Sequence, residues 1–459
     1  MKRIVTLFAV VLFVTSCGNS GGGSKGSRKG FEATPEGMIL VPKGSFEMGS
    51  NDEDFVWVMN APLQRRTTDD IFVDETETTN LAYRQFVNWT ADFIARKMLA
   101  SDEIEGFIIE SEDDEDEETD DPDDINLNYK TVIHTSPKQR NYGEHYPVLR
   151  DKGYFYSKKE AMGQKRVVDV RKLVYNYKYL DLQQAAKSKW VLEPQDDGTY
   201  SGHYEGKVID SEGKYVDIED RSSFMREENV LVYPDTLVWI RDFFNSYNDP
   251  YAEAYFWHPG YDYYPVVGVS WRQATAFCHW RSYHAQEKKY KNQYPSQRYR
   301  LPMEVEFEYA ARGGLEGGLY PWGSMYSTNS SGCYLANFKP QRGDYVLDGF
   351  PRIAPVAQYE PNGFGLYDMA GNVAEWIFDA YDENAYETMH DLVPVYRQHV
   401  TAKDKASKKR KGVRGGSWND VSYFLQTGAR DYNFMDSTHS FIGFRTVRDA
   451  VFGSIQDKK

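Results

Sequence analysis

The chain has 459 residues, 41% apolar and 15% aromatic, with 35 Tyr and 10 Trp; this excludes a disordered polymer and supplies core for one large domain or two ordinary ones. Wide flat side chains with polar atoms to satisfy fit a mixed, loop-rich body better than a helix-only bundle. The formal net charge is -15, but twelve of the fifteen residues from Glu110 to Asp124 are acidic, so the remainder is nearly neutral and offers no broad cationic face for nucleic acid.

At the start, Lys2 and Arg3 precede an apolar run from Ile4 to Val14 that ends in Val14-Thr15-Ser16-Cys17. Eleven helical residues span roughly 16 Å, short of the ~30 Å hydrocarbon core, so residues 1–16 read as a signal peptide rather than a membrane span. The last four residues of the stretch resemble a bacterial lipobox, which implies a lipid on Cys17; Gly18, where an Asp would retain the protein at the inner membrane, implies sorting to the outer membrane. Residues 17–36 are rich in Gly and Ser, have little to bury and are expected to be a flexible tether.

A folded domain is expected over 37–450, opening on the strand-like run Gly37-Met38-Ile39-Leu40-Val41-Pro42. From Asn80, read as an N-cap, Tyr83, Phe86, Val87, Phe93 and Ile94 follow a helical period. Between about 96 and 231 no clean period survives, and this segment reads as an insertion carrying the acidic run 110–124. Adjacent like charges repel, which makes that run a solvated loop or, alternatively, a sensor of calcium or of a basic partner. Tyr264 to Trp271 is expected to be a short buried strand running into a helix, with Ser270 and Gln273 at capping-box spacing. A second helix, Glu304 to Arg312, is stopped by Gly313-Gly314. Lys403 to Arg414 is a short basic stretch, expected to add a contact surface, and 451–459 is a polar tail. Besides Cys17 there are two cysteines, Cys278 and Cys333, which either pair in an oxidising compartment or remain free thiols.

Eight segments, in order, resemble the formylglycine-generating-enzyme (sulfatase-modifying-factor) superfamily: Gly44 to Ser50, Glu77-Thr78-Thr79-Asn80, Pro265 to Trp271, Arg300 to Gly314, Pro321-Trp322-Gly323, Gly363 to Trp376, Arg414 to Trp418 and Gly443-Phe444-Arg445. Met303 and Ala374 depart from the usual Thr and Trp. The resemblance implies an α+β, C-type-lectin-like, loop-rich fold with a large insertion. The family's oxidase chemistry uses two thiolates to hold copper(I), two and seven residues beyond the Gly-Gly-Ser-Trp tryptophan. Here Asp420 and Leu425 stand at those positions and no cysteine follows Cys333, so neither copper nor a catalytic residue is expected. A His-x3-His-x-Glu iron cluster is absent from the sequence, and His279 and His284 lie about 140° apart around a helix. By the same resemblance, calcium is implied at two sites: the side chains of Asn337 and Asp348 with the carbonyls of Phe338 and Phe350, and the side chains of Asp368 and Glu375 with the carbonyls of Gly371 and Val373. All are hard oxygen donors.

Three further stretches, Pro234 to Phe243, Tyr255 to Asp262 and Gly416 to Phe424, are similar to the gliding-motility and type IX secretion lipoprotein group of the GldK/PorK type. That similarity implies a non-catalytic, lipid-anchored ring subunit in the periplasm, partnered by copies of itself and by a GldN/PorN-type protein. The competing functions are a formylglycine-type oxidoreductase, opposed by the missing thiols, and a peptide- or sugar-binding module that uses the old cleft. The last is decided by whether the space near Trp418 is open or filled by Tyr423 and Phe424.

Overall fold

The computed structural model describes residues 34–50, 61–102, 145–162, 164, 166–195, 199–209, 213–289, 298–398, 400 and 404–450. Cys17, most of the tether, the acidic run 110–124 and the tail 451–459 lie outside these residues.

Two four-stranded sheets organise the body. In the first, the strands Met38–Val41, Ile71–Asp74, Val447–Asp449 and Tyr299–Arg300 lie side by side and antiparallel, with Val73 opposite Val447. In the second, Asp431–Phe434, Arg410–Arg414 and Ala374–Ala380 run antiparallel, and Ile442–Gly443 adds a short parallel edge. The helices Asn80–Ala100 and Trp271–Lys289 pack on them through Tyr83, Phe86, Ala274, Phe277 and Cys278, with Tyr83 and Phe277 stacked at 5.6 Å. Among the described residues no helix is long and apolar enough to cross a membrane.

The helix starts differ in an instructive way. Asn80 is not the N-cap: Thr79 is, its hydroxyl accepting from the Ala82 amide at 3.3 Å. The Asn80 side chain instead donates inward to the carbonyls of Tyr261 (3.1 Å) and Tyr255 (3.3 Å), tying the helix to the loop beneath it. The helix then continues to Ala100, beyond Ile94, because Ala95, Leu99 and Ala100 find a cover in Leu149, Tyr154 and Phe155. Ser270 and Gln273 do form the reciprocal cap, with Ser270 N donating to Gln273 Oε1 (2.8 Å) and Gln273 N to Ser270 Oγ (3.3 Å). Glu304–Arg312 ends as expected at Gly313, in the left-handed region at φ +59, where a Cβ would lie 2.8 Å from the Gly363 nitrogen.

Three expectations are corrected. Tyr264 to Trp271 is buried from Pro265 onward but is no strand: it makes a single bridge, Pro265 to Thr79, because proline lacks a donor and Gly268 turns at φ +73. The basic stretch is not one surface, since Arg410–Arg414 is a strand inside the second sheet with Lys411 and Arg414 buried; Lys405 and Lys408 remain exposed. The segment read as lacking pattern contains a two-stranded antiparallel sheet, Val174–Leu180 with Met225–Leu231, that packs Tyr177 and Val230 into the main core. Cys278 is buried and Cys333 exposed, and both are free.

Candidate functional site

The Gly415-Gly416-Ser417-Trp418 loop leaves the second sheet at Arg414, and a buried ionic ladder fixes its root. Arg430 grips Glu304 through Nε–Oε1 (2.6 Å) and Nη2–Oε2 (3.0 Å), Arg414 bonds Glu308, and Arg312 bonds the other Glu308 oxygen at 2.7 Å. Burial opposes ionisation of Glu304, but Arg430 and Arg414 outweigh it and hold its carboxyl below the usual range. Breaking one partner of such a ladder strands a buried charge, at a cost of about 3–5 kcal/mol. The loop itself needs glycine: Gly416 has φ +67, and a Cβ there would lie 2.8 Å from the Phe424 carbonyl carbon.

Where the resemblance implies the first thiol, Asp420 accepts a 2.5 Å bond from Ser417 Oγ and its carboxyl is raised by burial. At the second, Leu425 is packed among Tyr320, Ala336, Phe338 and Ala370. Neither side chain is a soft ligand, and Leu425 has become core. The space is also closed. Trp418 is 6% exposed, its ring stacked on Trp239 (6.2 Å, 22°) and tilted against Phe243 (5.3 Å). What remains beside Asp420, Phe424 and Asp431 is a cavity of about 10 Å³, at or below the room one water needs. Phe424 lines that cavity, with Tyr423 edge-on against it (5.2 Å), while Trp239 and Phe243 pack on the Trp418 ring. Sequence reading missed Trp239 as a plug, although Pro234 to Phe243 stood out as a stretch.

The residues implied for calcium divide into two sets. In the first, Asn337 is fully buried and its Oδ1 has no partner, while its Nδ2 donates to the Arg352 carbonyl at 2.8 Å. Asp348 lies half-buried, its oxygens accepting from the backbone nitrogens of Phe338 (2.8 Å) and Phe350 (3.3 Å), and burial raises its carboxyl. An orphaned oxygen near an unneutralised carboxylate on the same loop suits a hard cation. In the second set Glu375 already has a partner: Arg445 meets it with Nε–Oε2 and Nη2–Oε1 bonds of 2.7 Å, both groups buried. Asp368 accepts from the Ala357 amide at 2.7 Å, and Glu77 Oε1 accepts from Asn372 Nδ2 at 3.0 Å while its Oε2 has no partner. Burial raises the carboxyls of Glu77, Asp368 and Glu375, offset in part by Arg445 and, for Asp368, by the Ala357 amide. In the sequence Glu77 and Arg445 stand only as parts of motifs, and Glu77, inside the polar run Asp74 to Asn80, carries no signal of burial. Among the described residues no three His, Cys, Asp or Glu side chains converge as a metal-binding group.

A model of the sulfatase-modifying factor enzyme 1-like domain matches residues 25–133 and 247–450. The chain belongs to this family. Its strands and helices form the mixed, loop-rich fold that the resemblance implied. The unmatched span, 134–246, contains both plug residues, Trp239 and Phe243. The chain is 33% identical over 193 residues to "Inactive C-alpha-formylglycine-generating enzyme 2" of Bos taurus (41% of this chain, 51% of that one). It is 34% identical over 194 residues to "Formylglycine-generating enzyme" of Mus musculus (40% and 44%). Among solved structures, that of PvdO from Pseudomonas aeruginosa is similar at 16% identity and TM-score 0.43, covering 90% of this chain and 94% of that one. The chain spans about half the length of the curated relatives it matches. Proteins named inactive and proteins named as enzymes match it to the same degree, so the family includes members compatible with a non-catalytic role.

Proposed function

We infer that this protein is a non-catalytic member of the family whose work is structural. The observation that carries the reading is the closed cleft, with Asp420 and Leu425 in the thiolate positions and Trp239 and Phe243 over Trp418. A cavity of about 10 Å³ admits neither a peptide nor a sugar, which disfavours a binding module at that place.

The finer reading is a lipoprotein anchored in the outer membrane by Cys17, its body in the periplasm, forming a ring with copies of itself and a GldN/PorN-type protein in type IX secretion and gliding motility. Its support is the similarity of three stretches to that lipoprotein group, and residues from all three, Trp239, Tyr255 and Trp418, meet in one apolar cluster. The three stretches therefore pack together around Trp418. Calcium, if held, would sit with Asn337, Asp348 and the carbonyls of Phe338 and Phe350, bracing the loop that carries Asp348.

Two experiments test this. Purified protein given copper and a cysteine-containing sulfatase-type peptide is expected to yield no formylglycine; copper-dependent turnover above blank refutes the non-catalytic reading. Mild detergent extraction of cells, followed by affinity purification, is expected to recover a large assembly with a stoichiometric periplasmic partner, and Cys17→Ala is expected to leave the membrane fraction. A lone monomer, from cells that secrete normally without the gene, removes the ring.

A further inference from the structure

A second cavity, of about 400 Å³, lies where the first turns of the Asn80–Ala100 helix meet the Trp271–Lys289 helix and the strand residues Asp74 and Tyr299. That volume is within the range of about 300–1,000 Å³ usual for small-molecule sites. Phe277, Trp280 and Tyr299 supply flat apolar walls, each less than a tenth exposed.

Arg281 is its chemical focus. One nitrogen, Nη1, does all the structural work: it bonds both Asp74 oxygens (2.8 and 2.7 Å) and Thr446 Oγ1 (2.6 Å), and the guanidinium lies 4.4 Å from the Tyr299 ring centre. Its remaining edge, Nε with Nη2, bonds none of the described residues, and the side chain keeps 25% of its surface accessible. A planar fork fixed from behind and free in front is the geometry that accepts a carboxylate with two parallel bonds. A second, independent sign is that two side chains lining this cavity, each more than nine-tenths buried, hold donor groups with no partner: Thr78 Oγ1 and Trp280 Nε1.

We propose that this cavity binds an organic monocarboxylate with a flat apolar body, the carboxylate on the Nε/Nη2 edge of Arg281 and the body between Phe277, Trp280 and Tyr299. A monoanion fits where a phosphate dianion does not, because the carboxyls of Asp74 and Glu77 line the same space. The indole N–H of Trp280 and the hydroxyl of Thr78 then offer a donor each to a polar substituent on the body, such as an amide oxygen. A free aromatic acid and the C-terminal residue of a peptide present the same chemistry. The site is separate from the closed cleft and does not depend on how that cleft is read.

Calorimetric titration of the full-length protein tests this with N-acetyl-phenylalanine, its primary amide, and a short peptide ending in phenylalanine with a free or an amidated terminus. The free carboxylates are expected to bind saturably and the amides about tenfold more weakly. Arg281→Lys keeps a cation against Asp74 but loses the fork, and is expected to cost the carboxylates about tenfold and the amides nothing. Ala82→Phe, which adds a ring at a cavity-lining position while leaving the Arg281 side chain in place, is expected to abolish both, and it keeps the test decisive should Arg281→Lys fail to fold. Binding of the free acid without the peptide identifies a small-molecule ligand, and binding of both identifies a chain terminus. Equal affinity for acid and amide, unchanged binding in Ala82→Phe, or no saturable binding of any probe overturns the proposal.

Discussion

Asp379 shows how far a single buried group can be pushed. It is fully enclosed, its oxygens accepting from the backbone nitrogens of Glu304 (2.9 Å) and Tyr396 (2.6 Å), and burial together with the negative charge of Glu304 raises its carboxyl to about 7. Nearby Lys411, over the Trp271 ring at 3.9 Å, is lowered by burial to about 8. Between the unfolded value of about 4 and the folded value of about 7, native Asp379 holds a proton that the unfolded chain has released, so its contribution to stability declines as pH rises through that window. For Lys411 the unfolded chain holds the extra proton between about 8 and about 10.5, so its contribution recovers as pH rises there. Urea denaturation across pH should show wild type losing about 1.4 kcal/mol per pH unit relative to Asp379→Asn between pH 4 and 7. Parallel stability curves for the two proteins would show that Asp379 does not titrate in this range.

At the scale of elements, the five-residue helix Val238–Asp242 decides the fate of the cleft. It is too short to persist alone and is held by burial of Val238 and Trp239 and by Asn248 Nδ2 on the Trp239 carbonyl (3.0 Å). Trp239→Ala should cost about 3–5 kcal/mol and expose the Trp418 face, measurable as a rise in accessibility of Trp418 fluorescence to quenchers, with no gain of oxidase turnover. If stability is unchanged, the cover is not part of the core.

Such short, loop-borne packing was not legible in the sequence, because a single turn has no period to read. Glu304–Arg312 was legible chiefly by its end, the Gly313-Gly314 stop where Gly313 takes a positive φ. Asn80 misled because asparagine is as good an N-cap as Thr79, and only the inward carbonyls of Tyr255 and Tyr261 decide which role it takes. Asp420 and Leu425, where the resemblance implies thiols, could be read from the sequence, whereas the pairing of Glu375 with Arg445 joins residues 70 positions apart and carries no local signal.

For the whole molecule, a bound cation and lateral contacts are the levers. If calcium binds at Asn337 and Asp348, saturation at a hundredfold excess over Kd adds about 2.7 kcal/mol. Chelator should then lower Tm, and Asp348→Asn should abolish the difference while leaving the Glu375–Arg445 pair intact; identical melts with and without chelator would argue against the ion. Deleting 110–124 should loosen the extracted assembly more at low salt than at high salt, since exposed charges are screened within about 10 Å at 0.1 M, and should leave the melting temperature of the body unchanged. An assembly of unaltered size would locate the contacts elsewhere.

The first sheet sets the order in which this chain can mature. Val73 has Val447 as its neighbour and Val41 has Ile71, so the Ile71–Asp74 strand keeps one open edge until the last strand of the sheet arrives. Pairings across such a sequence distance close slowly. The Met38–Val41 and Ile71–Asp74 pair can form early, but a chain made from its N-terminus completes this sheet only when Val447–Asp449 arrives. The last described strand thus closes the edge that the first pair leaves open.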